Sequence, residues 1–452
     1  MKHTTASTVG GKSCPTNVRW QIAGLAGLGV VITNIDRSTI SVALPYMSKD
    51  LHIAPIYQGL VLGWFFLAYA VFLLPVGAVV DRFGARLVYG AGAAIWGIAT
   101  LATAAVTGVA ALLGLRLLLG VGEASQYPSC IRATAEWFPD RERTSATGLW
   151  DMGARVGGVL TLPIVAGVIG LAGWRAAFVV VGVLALLWAI GWLAEYRGPG
   201  AHRRANQAER DYIRDGSVPS PGDVGGTAGC RPHGAGGAGL RWRDLFRYRF
   251  TWGLMLGYFC FNYVAYFFIT WFPSYLVKAR GFDLLTLGVL GAVPGLVAVL
   301  SELGSGFAQD RLIVLGRGKN SVRKGFLVVG MLLSSSIALA VIAPTAALAL
   351  VLLSFSYGAL LIGGPALGTF PAEFAPTRRH IGSLSGIQNS AGNVAGFLGP
   401  IITGALVSAT GSFVPALVLT GAIAIVGALT YVLIVPPIRT AVPEPVESAV
   451  AQ

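Results

Sequence analysis

Apolar residues along this chain come in long blocks, separated by short segments of charged and turn-forming residues. The blocks have about 20 residues or more, the length that an α-helix needs to cross a bilayer core. They run continuously apolar instead of alternating with polar residues, which excludes a transmembrane β-barrel. The pattern predicts twelve helical spans, near residues 20–46, 56–80, 86–107, 108–134, 144–170, 174–194, 250–277, 284–308, 323–343, 346–367, 381–408 and 412–435.

The predicted spans form two sets of six, separated by residues 195–249. This segment is rich in Arg, Gly and Pro and has too few apolar residues to bury a core, which predicts a mobile linker. The chain therefore divides into an N-terminal tail (1–19), a six-helix bundle (20–194), the linker, a second six-helix bundle (250–435) and a C-terminal tail (436–452). The first apolar block is too long for the core of a cleavable signal peptide.

Composition and charge agree with a membrane protein. Of 452 residues, 54% are hydrophobic and 12% charged, about half the charged share of an average soluble domain. The net charge of +13 would suggest a nucleic-acid partner in a soluble protein. Here 26 of the 33 Lys and Arg residues fall on one side of the predicted topology. The positive-inside rule then places both termini in the cytoplasm and removes the need for nucleic acid.

The residues that would indicate an enzyme or a metal site are missing from the sequence. It contains no HExxH or GxSxG motif, and residues 11–13 (GKS) lack the first glycine of a P-loop. The four cysteines are scattered without a CxxC pair, at Cys14, Cys130, Cys230 and Cys260. We therefore expect no cofactor, no metal and no enzymatic activity. A non-transporting sensor would be expected to carry a signalling domain, and the linker holds none.

Pieces of the first set of spans recur in the second. The matches are residues 77–82 (GAVVDR) with 306–311 (GFAQDR), 135–139 (AEWFP) with 372–376 (AEFAP), and Gly148 and Gly158 with Gly386 and Gly396. Each piece has the same predicted sidedness in both halves, so the repeat is parallel. The predicted fold class is an all-α membrane protein, with twelve transmembrane helices in two pseudo-symmetric six-helix bundles around a central cavity.

Six charged residues lie within predicted spans, away from the span ends: Asp36, Arg37, Arg116, Glu123, Asp151 and Arg155. Charges at such depths are costly and therefore point to function. Since no Lys or His is at midspan, a proton relay there would use carboxylates. The alternative is that these residues form buried ion pairs which only lock helices together.

Asp36 and Arg37 are adjacent in span 1 and point about 100° apart, so they face different neighbours. Arg116 and Glu123 are seven residues apart, on one face of span 4. A substrate carboxylate that competes for an arginine would free a carboxylate to take up a proton. Proton and anion binding would then favour each other, as symport requires.

Two motifs resemble signatures of the major facilitator superfamily: residues 77–86 (GAVVDRFGAR) after span 2 and 116–124 (RLLLGVGEA) in span 4. More narrowly, several segments resemble the anion:cation symporters, and within them bacterial transporters of galactonate, glucarate and hexuronates. These segments are 16–20 (TNVRW), 36–41 (DRSTIS), 122–124 (GEA), 173–178 (GWRAAF), 271–275 (WFPSY) and 385–393 (SGIQNSAGN).

The resemblance implies roles for individual residues. Asp36 and Glu123 match the family's protonation sites, and Arg116 matches its span-4 arginine. Arg37 matches the residue that meets the substrate. The candidate substrate contacts are completed by Tyr69, Asn389, Asn393, Asp151 and Arg155. Tyr69 could instead pack between helices, and the two asparagines could make only interhelical hydrogen bonds.

Some positions depart from the family pattern. Asn34 stands where an aromatic residue is common, and Gly368 where the sugar-acid carriers have a tryptophan. Span 5 has Asp151 and Arg155 where an amide is usual. Because these two are four residues apart on one helix face, they either neutralise each other or reshape the pocket.

Paired charges also occur at helix ends that the topology places on the cytoplasmic side. They are Asp81, Arg82, Arg86, Asp310 and Arg311. We expect them to gate transport by tying the two bundles together in the outward-facing state. The alternative, plain positive-inside charge, accounts for the arginines but not for the aspartates.

The predicted function is proton-coupled uptake of an organic acid anion, foremost a sugar acid, by alternating access. The alternatives are symport of an aromatic or dicarboxylic acid, and drug–proton antiport. An antiporter is expected to have a GPxxGG run in span 5, which residues 158–167 (GVLTLPIVAG) do not supply. We expect a monomer in the bacterial inner membrane whose partners are the anion, protons and lipid.

Overall fold

The computed structural model describes residues 15–139, 141–215, 242–375 and 381–437. Within these ranges the chain forms helices and no strands. The α-helices are α1 (Val18–Asp50), α2 (Pro55–Thr103), α3 (Val109–Glu123), α4 (Gln126–Trp137), α5 (Arg143–Glu195), α6 (Gln207–Asp215), α7 (Arg249–Thr270), α8 (Phe272–Arg280), α9 (Leu284–Leu290), α10 (Val293–Val314), α11 (Lys319–Ser334), α12 (Ala346–Ile362), α13 (Gly364–Phe374), α14 (Ile381–Thr410) and α15 (Val414–Leu433). Two 3₁₀ helices cover Trp242–Arg247 and Ser335–Val341.

Eleven helical segments of the described chain are long and apolar enough to cross a membrane. One of them, Ser145–Glu195, has 51 residues, a length of about 75 Å at 1.5 Å per residue and more than twice the thickness of a bilayer core. It bends at Gly173, whose φ of 81° favours glycine. This segment therefore covers predicted spans 5 and 6. All twelve predicted spans lie on helices, and the all-α membrane fold is confirmed.

Helix α2 carries the second and third predicted spans. Its backbone leaves the helical conformation at Gly84, with φ 80° and ψ 158°. A residue with a Cβ is strained at such a φ, so glycine is suited to this reversal between spans. The bend lies inside the segment 77–86, where the sequence predicts a loop.

A short break separates α3 from α4 directly after Glu123. The amide of Ala124 donates to the Gly120 carbonyl at 3.1 Å, and the amide of Ser125 donates to the Gly122 carbonyl at 3.2 Å. The first of these bonds spans four residues and the second spans three, so the helix tightens into a 3₁₀-like turn at this point. Interruptions of membrane helices occur where the backbone is buried in protein or lines a cavity, and they often form substrate or ion sites.

The chain divides into two compact units. Unit 1 comprises Met1–His52 and Trp64–Ala235, and unit 2 comprises Ile53–Gly63 and Gly236–Gln452. The division follows the two predicted sets of spans except at Ile53–Gly63, which is grouped with the second set.

In unit 1, α1 packs along α5 through glycines. A Cβ on Gly153 would lie 2.5 Å from the carbonyl oxygen of Gly27, and a Cβ on Gly157 would lie 2.7 Å from that of Val31. Small residues allow two helix backbones to approach this closely in a membrane. This contact holds α1, the helix that carries Asp36 and Arg37, in place.

In unit 2, the segment Ile53–Gly63 packs on α14 in the same way. A Cβ on Gly59 would lie 2.4 Å from the carbonyl oxygen of Pro400, and a Cβ on Gly63 would lie 2.4 Å from that of Phe397. The side chain of Lys278 donates to Gln58 at 2.9 Å. These contacts explain why the start of α2 is grouped with unit 2.

The first part of the predicted linker is packed against unit 1. Glu209 of α6 is fully buried and accepts hydrogen bonds from the Arg19 side chain at 3.1 Å and from Thr16 at 2.5 Å. Residues 216–241 of the linker lie outside the described residues, as do the tails 1–14 and 438–452. The prediction of a mobile linker is therefore wrong for residues 196–215, because polar contacts substitute for an apolar core.

Glu142, just before α5, completes this polar cluster. It accepts a hydrogen bond from Arg19 at 2.9 Å and another from the Tyr212 hydroxyl. Partial burial acts to raise the pKa of Glu142, but the hydrogen bonds from Tyr212 and Arg19 and the charge of Arg19 outweigh burial and lower it. The charged form of Glu142 is therefore the one that holds α6.

Candidate functional site

The sequence-predicted charges on α1 and α3 meet inside unit 1. Arg37 donates two hydrogen bonds to Glu123 Oε2, at 3.1 Å from Nε and 2.8 Å from a terminal nitrogen. The Glu123 side chain is fully buried, whereas Arg37 keeps 20% of its side-chain surface exposed. Glu123 Oε1 is buried and has no hydrogen-bond partner among the described residues. Both contacts from Arg37 thus reach one carboxylate oxygen.

Two aromatic rings of α2, those of Phe65 and Tyr69, lie against the Arg37 guanidinium. Its guanidinium carbon lies 4.8 Å from the centre of the Phe65 ring and 5.1 Å from that of Tyr69. The two rings stack on each other at 5.9 Å. A guanidinium over an aromatic face is stabilised by the ring quadrupole. This contact orients Arg37 and brings the predicted residue Tyr69 into its surroundings.

Arg116 lies beside the same ring. It is buried, and its guanidinium carbon lies 5.2 Å from the centre of the Phe65 ring. The structure therefore places both arginines around Phe65, a residue that the sequence interpretation missed. Arg116 precedes Glu123 by two turns of α3, as the seven-residue spacing predicts.

Asp36, the neighbour of Arg37, faces another helix. It is 1% exposed, and its two carboxylate oxygens lie 2.7 and 2.9 Å from the hydroxyl of Thr100 on α2. The prediction that adjacent residues of α1 face different neighbours agrees with this arrangement. Thr100 was missed because threonine is common in membrane helices and carries no charge. A hydroxyl near the middle of the predicted span 86–107 was the feature that could have identified Thr100 as a partner of a buried charge.

The other predicted substrate contacts differ in exposure. Asp151 and Arg155 are exposed on α5. On α14, in unit 2, Asn389 is exposed, while Asn393 is buried and donates to the carbonyl oxygen of Asn389 at 3.1 Å. The amide of Asn393 thus bonds within its own helix. The side chain of Asn389 is the more accessible of the two amides.

The predicted gating residues lie near helix ends. Asp81 is 3.7 Å from Arg132, and Arg86 donates to the carbonyl oxygen of Leu193 at 3.0 Å from Nε. Arg86 therefore caps the last turn of α5 inside unit 1. Arg82 lies against the Phe83 ring, while Asp310 and Arg311 are exposed on α10.

The glutamate of the repeated AE motif pairs with an arginine in each unit, within one helix in unit 1 and between two helices in unit 2. Glu136 pairs with Arg132 at 2.6 Å, and Glu373 pairs with Arg323. Pro376, at the end of the second copy, lies outside the described residues. The repeat recognised in the sequence thus corresponds to two ion pairs, each within one unit.

Glu302, which falls near the end of the predicted span 284–308, is not among the six predicted charges within spans. Helix α10 continues to Val314, so Glu302 lies in its middle. A Cβ on Gly364, the first residue of α13, would lie 3.2 Å from Glu302 Oε1. A carboxylate near a helix N-terminus is favoured by the helix dipole.

The described residues include no group of three or more His, Cys, Asp or Glu side chains placed to hold a metal ion. Cys130 and Cys260 are buried free thiols. Cys14 and Cys230 lie outside the described residues. The chemistry at this site of unit 1 is that of the half-buried Arg37 guanidinium and of two buried carboxylates, Asp36 and Glu123, with different partners.

The chain is similar to known proteins over most of its length. The family model described as Major Facilitator Superfamily matches residues 26–400. The probable galactarate/D-glucarate transporter of Bacillus subtilis (strain 168) is 33% identical over 94% of this chain and 94% of its own length. The probable L-galactonate transporter of Escherichia coli (strain K12) is 32% identical over 90% of this chain and 86% of its own.

Among solved structures, the fold resembles a bacterial homologue of the human lysosomal transporter Spinster, in an inward-facing and occupied conformation. The TM-score is 0.77 at 18% sequence identity, and the match covers 92% of this chain and 97% of the other. At this identity the likeness concerns the fold.

Proposed function

The chain belongs to the Major Facilitator Superfamily, and we propose that it is a proton-coupled symporter which takes up a sugar acid such as galactonate, glucarate or a hexuronate. The names of its relatives support a sugar-acid substrate. The contact between Arg37 and Glu123 is the observation that carries the proposal. It joins an accessible anion-binding group to a buried proton-binding group.

Arg37 is suited to bind the carboxylate of the substrate. Its planar guanidinium matches a carboxylate in a two-pronged geometry. Part of its surface is exposed, so an anion can approach it without moving the buried Glu123. The Phe65 and Tyr69 rings hold the guanidinium in place. A hydroxyl of the sugar acid would then meet the Tyr69 hydroxyl beside the same guanidinium.

Binding of the anion to Arg37 weakens the hold of Arg37 on Glu123. Because Glu123 is fully buried, its charged form then keeps only the charge of Arg116 as compensation, and the carboxylate takes up a proton. The Glu123 oxygen without a hydrogen-bond partner is a place for that proton. Substrate and proton thereby favour each other's binding, as linkage requires. Asp36, held by Thr100, is the second carboxylate of the coupling machinery.

The proposal is tested by uptake into proteoliposomes. Radiolabelled galactonate, glucarate, glucuronate and an aromatic acid are offered with and without an inward proton gradient. We expect accumulation of at least one sugar acid, only with the gradient. Uptake that ignores the gradient would refute symport, while selective uptake of the aromatic acid would refute the substrate assignment.

Two substitutions separate binding from coupling. Arg37→Ala is expected to abolish substrate binding. Arg37→Lys is expected to restore binding only in part, because lysine keeps the positive charge but lacks the planar guanidinium that donates two hydrogen bonds to a carboxylate. Glu123→Gln is expected to retain exchange of labelled for unlabelled substrate and to lose accumulation driven by the gradient. Binding by isothermal titration and the two transport assays give the readouts. Normal binding in Arg37→Ala would show that the substrate site lies elsewhere.

A further inference from the structure

Five buried polar atoms on helices α2 to α5 of unit 1 lack a hydrogen-bond partner within the described ranges. They are Glu123 Oε1, the Trp96 and Trp192 indole nitrogens, the Tyr89 hydroxyl and Ser129 Oγ. All five side chains are 0% exposed. An unpaired polar group in such surroundings costs about 1–3 kcal/mol, and buried Tyr and Trp usually find a partner. Five such unpaired groups on neighbouring helices indicate that bound molecules satisfy their hydrogen bonds.

The atoms belong to helices that are in contact. The Tyr89 ring lies 5.0 Å from the Trp192 ring and 5.9 Å from the Trp96 ring. Gly122, next to Glu123, packs so closely on α2 that a Cβ there would lie 3.1 Å from Trp96 Cβ. The aromatic side chains thus pack against one another, beside the turn of α3 that carries Glu123.

Tyr89 lies at the centre of this cluster. Its hydroxyl reaches α1, where a Cβ on Gly29 would be only 2.6 Å away. It also faces the thiol of Cys130, the neighbour of Ser129. A thiol is a weak hydrogen-bond partner, so this contact satisfies the phenol only in part.

The chemistry of the five groups identifies the ligand that would satisfy them. Indole nitrogens only donate, so Trp96 and Trp192 cannot satisfy each other, whereas the Glu123 carboxylate only accepts. The ligand must accept from the indoles and donate to the carboxylate. Water does both, and buried waters typically make two to four hydrogen bonds to such groups.

We propose that unit 1 binds internal water molecules between Glu123, Trp96, Tyr89, Ser129 and Trp192, and that these waters relay protons from Glu123. The relay function rests on the proposed proton coupling, whereas the water site does not. The rings continue from Trp192 to Tyr196 at 4.4 Å, and the Tyr196 hydroxyl donates to Glu136 at 2.8 Å. Glu136 lies toward the end of unit 1 that the charge distribution places in the cytoplasm.

The relay conserves protons at each step. The Glu123 carboxyl releases its proton to the first water, and each water accepts one proton and passes one on. The last water gives a proton to the Tyr196 hydroxyl as that hydroxyl gives its own proton to the Glu136 carboxylate, which releases it to bulk solvent. The route lies within one unit, so a proton can leave without following the substrate.

The water site is tested by X-ray radiolytic labelling of the full-length protein in lipid nanodiscs, which oxidises side chains next to bound water. We expect oxidation of Tyr89, Trp96 and Trp192. Trp137 and Trp271 are matched controls, because they are equally buried but donate to backbone carbonyls. Equal labelling of the control and test tryptophans, or labelling of neither, overturns the water site.

The relay is tested by Tyr89→Phe, which keeps the ring and removes the hydroxyl. We expect gradient-driven uptake to fall about tenfold, the effect of losing one buried hydrogen bond, with substrate exchange changed less than twofold. Tyr431→Phe is the control, because this hydroxyl is also buried and without a partner in the described chain but belongs to unit 2. Equal losses of uptake and exchange, or the same loss in Tyr431→Phe, overturn the relay.

The two assays keep the proposals separate. If wild-type uptake ignores the proton gradient, the proposed function and the relay both fail, while the labelling result still decides the water site. If the labelling succeeds and Tyr89→Phe transports like the wild type, the waters are bound but carry no proton. Wild-type coupling together with failed labelling refutes only the water site.

Discussion

At the scale of single residues, two adjacent positions of α1 serve two buried carboxylates in different ways. Asp36 accepts from an uncharged hydroxyl, while the neighbouring Arg37 neutralises Glu123. The 100° step between adjacent helical residues points the two side chains at different helices. A substrate bound at Arg37 would therefore disturb Glu123 directly and Asp36 only through its changed electrostatic surroundings.

Thr100 is expected to set the proton affinity of Asp36. A hydroxyl that donates to a carboxylate favours its charged form, so Thr100→Val is expected to make Asp36 bind its proton more tightly. We expect the pH profile of uptake to move upward by about one unit, the equivalent of one hydrogen bond. Thr100→Ser keeps the donor and is expected to restore the wild-type profile. An unchanged profile in Thr100→Val would contradict this role.

At the scale of elements, close helix contacts depend on glycines that the sequence repeat did not single out. The repeated glycines Gly148, Gly158 and Gly386 have no neighbouring atom within 4 Å of an added Cβ. Gly153 and Gly157, which have no counterpart in that repeat, face the α1 backbone instead. The recurring glycines are therefore not the ones that bring α1 and α5 together.

Gly153→Ala is expected to destabilise unit 1. The added methyl group would meet the Gly27 carbonyl oxygen at 2.5 Å, and a backbone atom cannot move aside without shifting α1. We expect a loss of about 1–3 kcal/mol, as for other overpacked sites, seen as a lower Tm in detergent. Gly158→Ala on the same helix is the control and is expected not to lower it. Equal Tm values for the two variants would show that the contact is not tight.

The docking of α6 is expected to depend on pH. Because the pKa of Glu142 is lowered from 4.5, its charged form stabilises docking at neutral pH. This stabilisation is lost as the pH falls below 4.5 through the lowered pKa. Glu142→Gln removes the charge of Glu142 at neutral pH, as protonation does in acid. We expect backbone hydrogen exchange in residues 207–215 to become about fivefold faster in this variant. Glu195→Gln, which removes an exposed ion pair with Arg204, is expected to change nothing.

At the scale of the whole molecule, charge distribution and helix count support one topology. Lys and Arg are concentrated in segments that an even number of crossings places on one side. The bend at Gly173 makes the longest apolar segment count as two crossings. For twelve crossings we predict that both termini face the same side, and the positive-inside rule predicts that this side is the cytoplasm.

Native cysteines can test this topology. Cys14 and Cys230 lie in the predicted cytoplasmic tail and linker, whereas Cys130 and Cys260 are buried and are expected not to react. A membrane-impermeant maleimide is expected to label the protein in inside-out vesicles but not in intact cells. Lys278→Cys, in a predicted outer loop, supplies the opposite control. Labelling of Cys14 or Cys230 in intact cells would reverse the orientation.

The sequence by itself determined the helical spans, the parallel repeat and the charged residues that the bilayer makes costly. These are local properties, since hydrophobic length and charge can be read without knowing which helices touch. Tertiary structure decided the partners. Thr100 is 64 residues from Asp36, and Glu123 is 86 residues from Arg37. Such pairings depend on helix packing, which Gly27 and Gly153 permit by bringing backbones together, and no periodicity within a single helix specifies them.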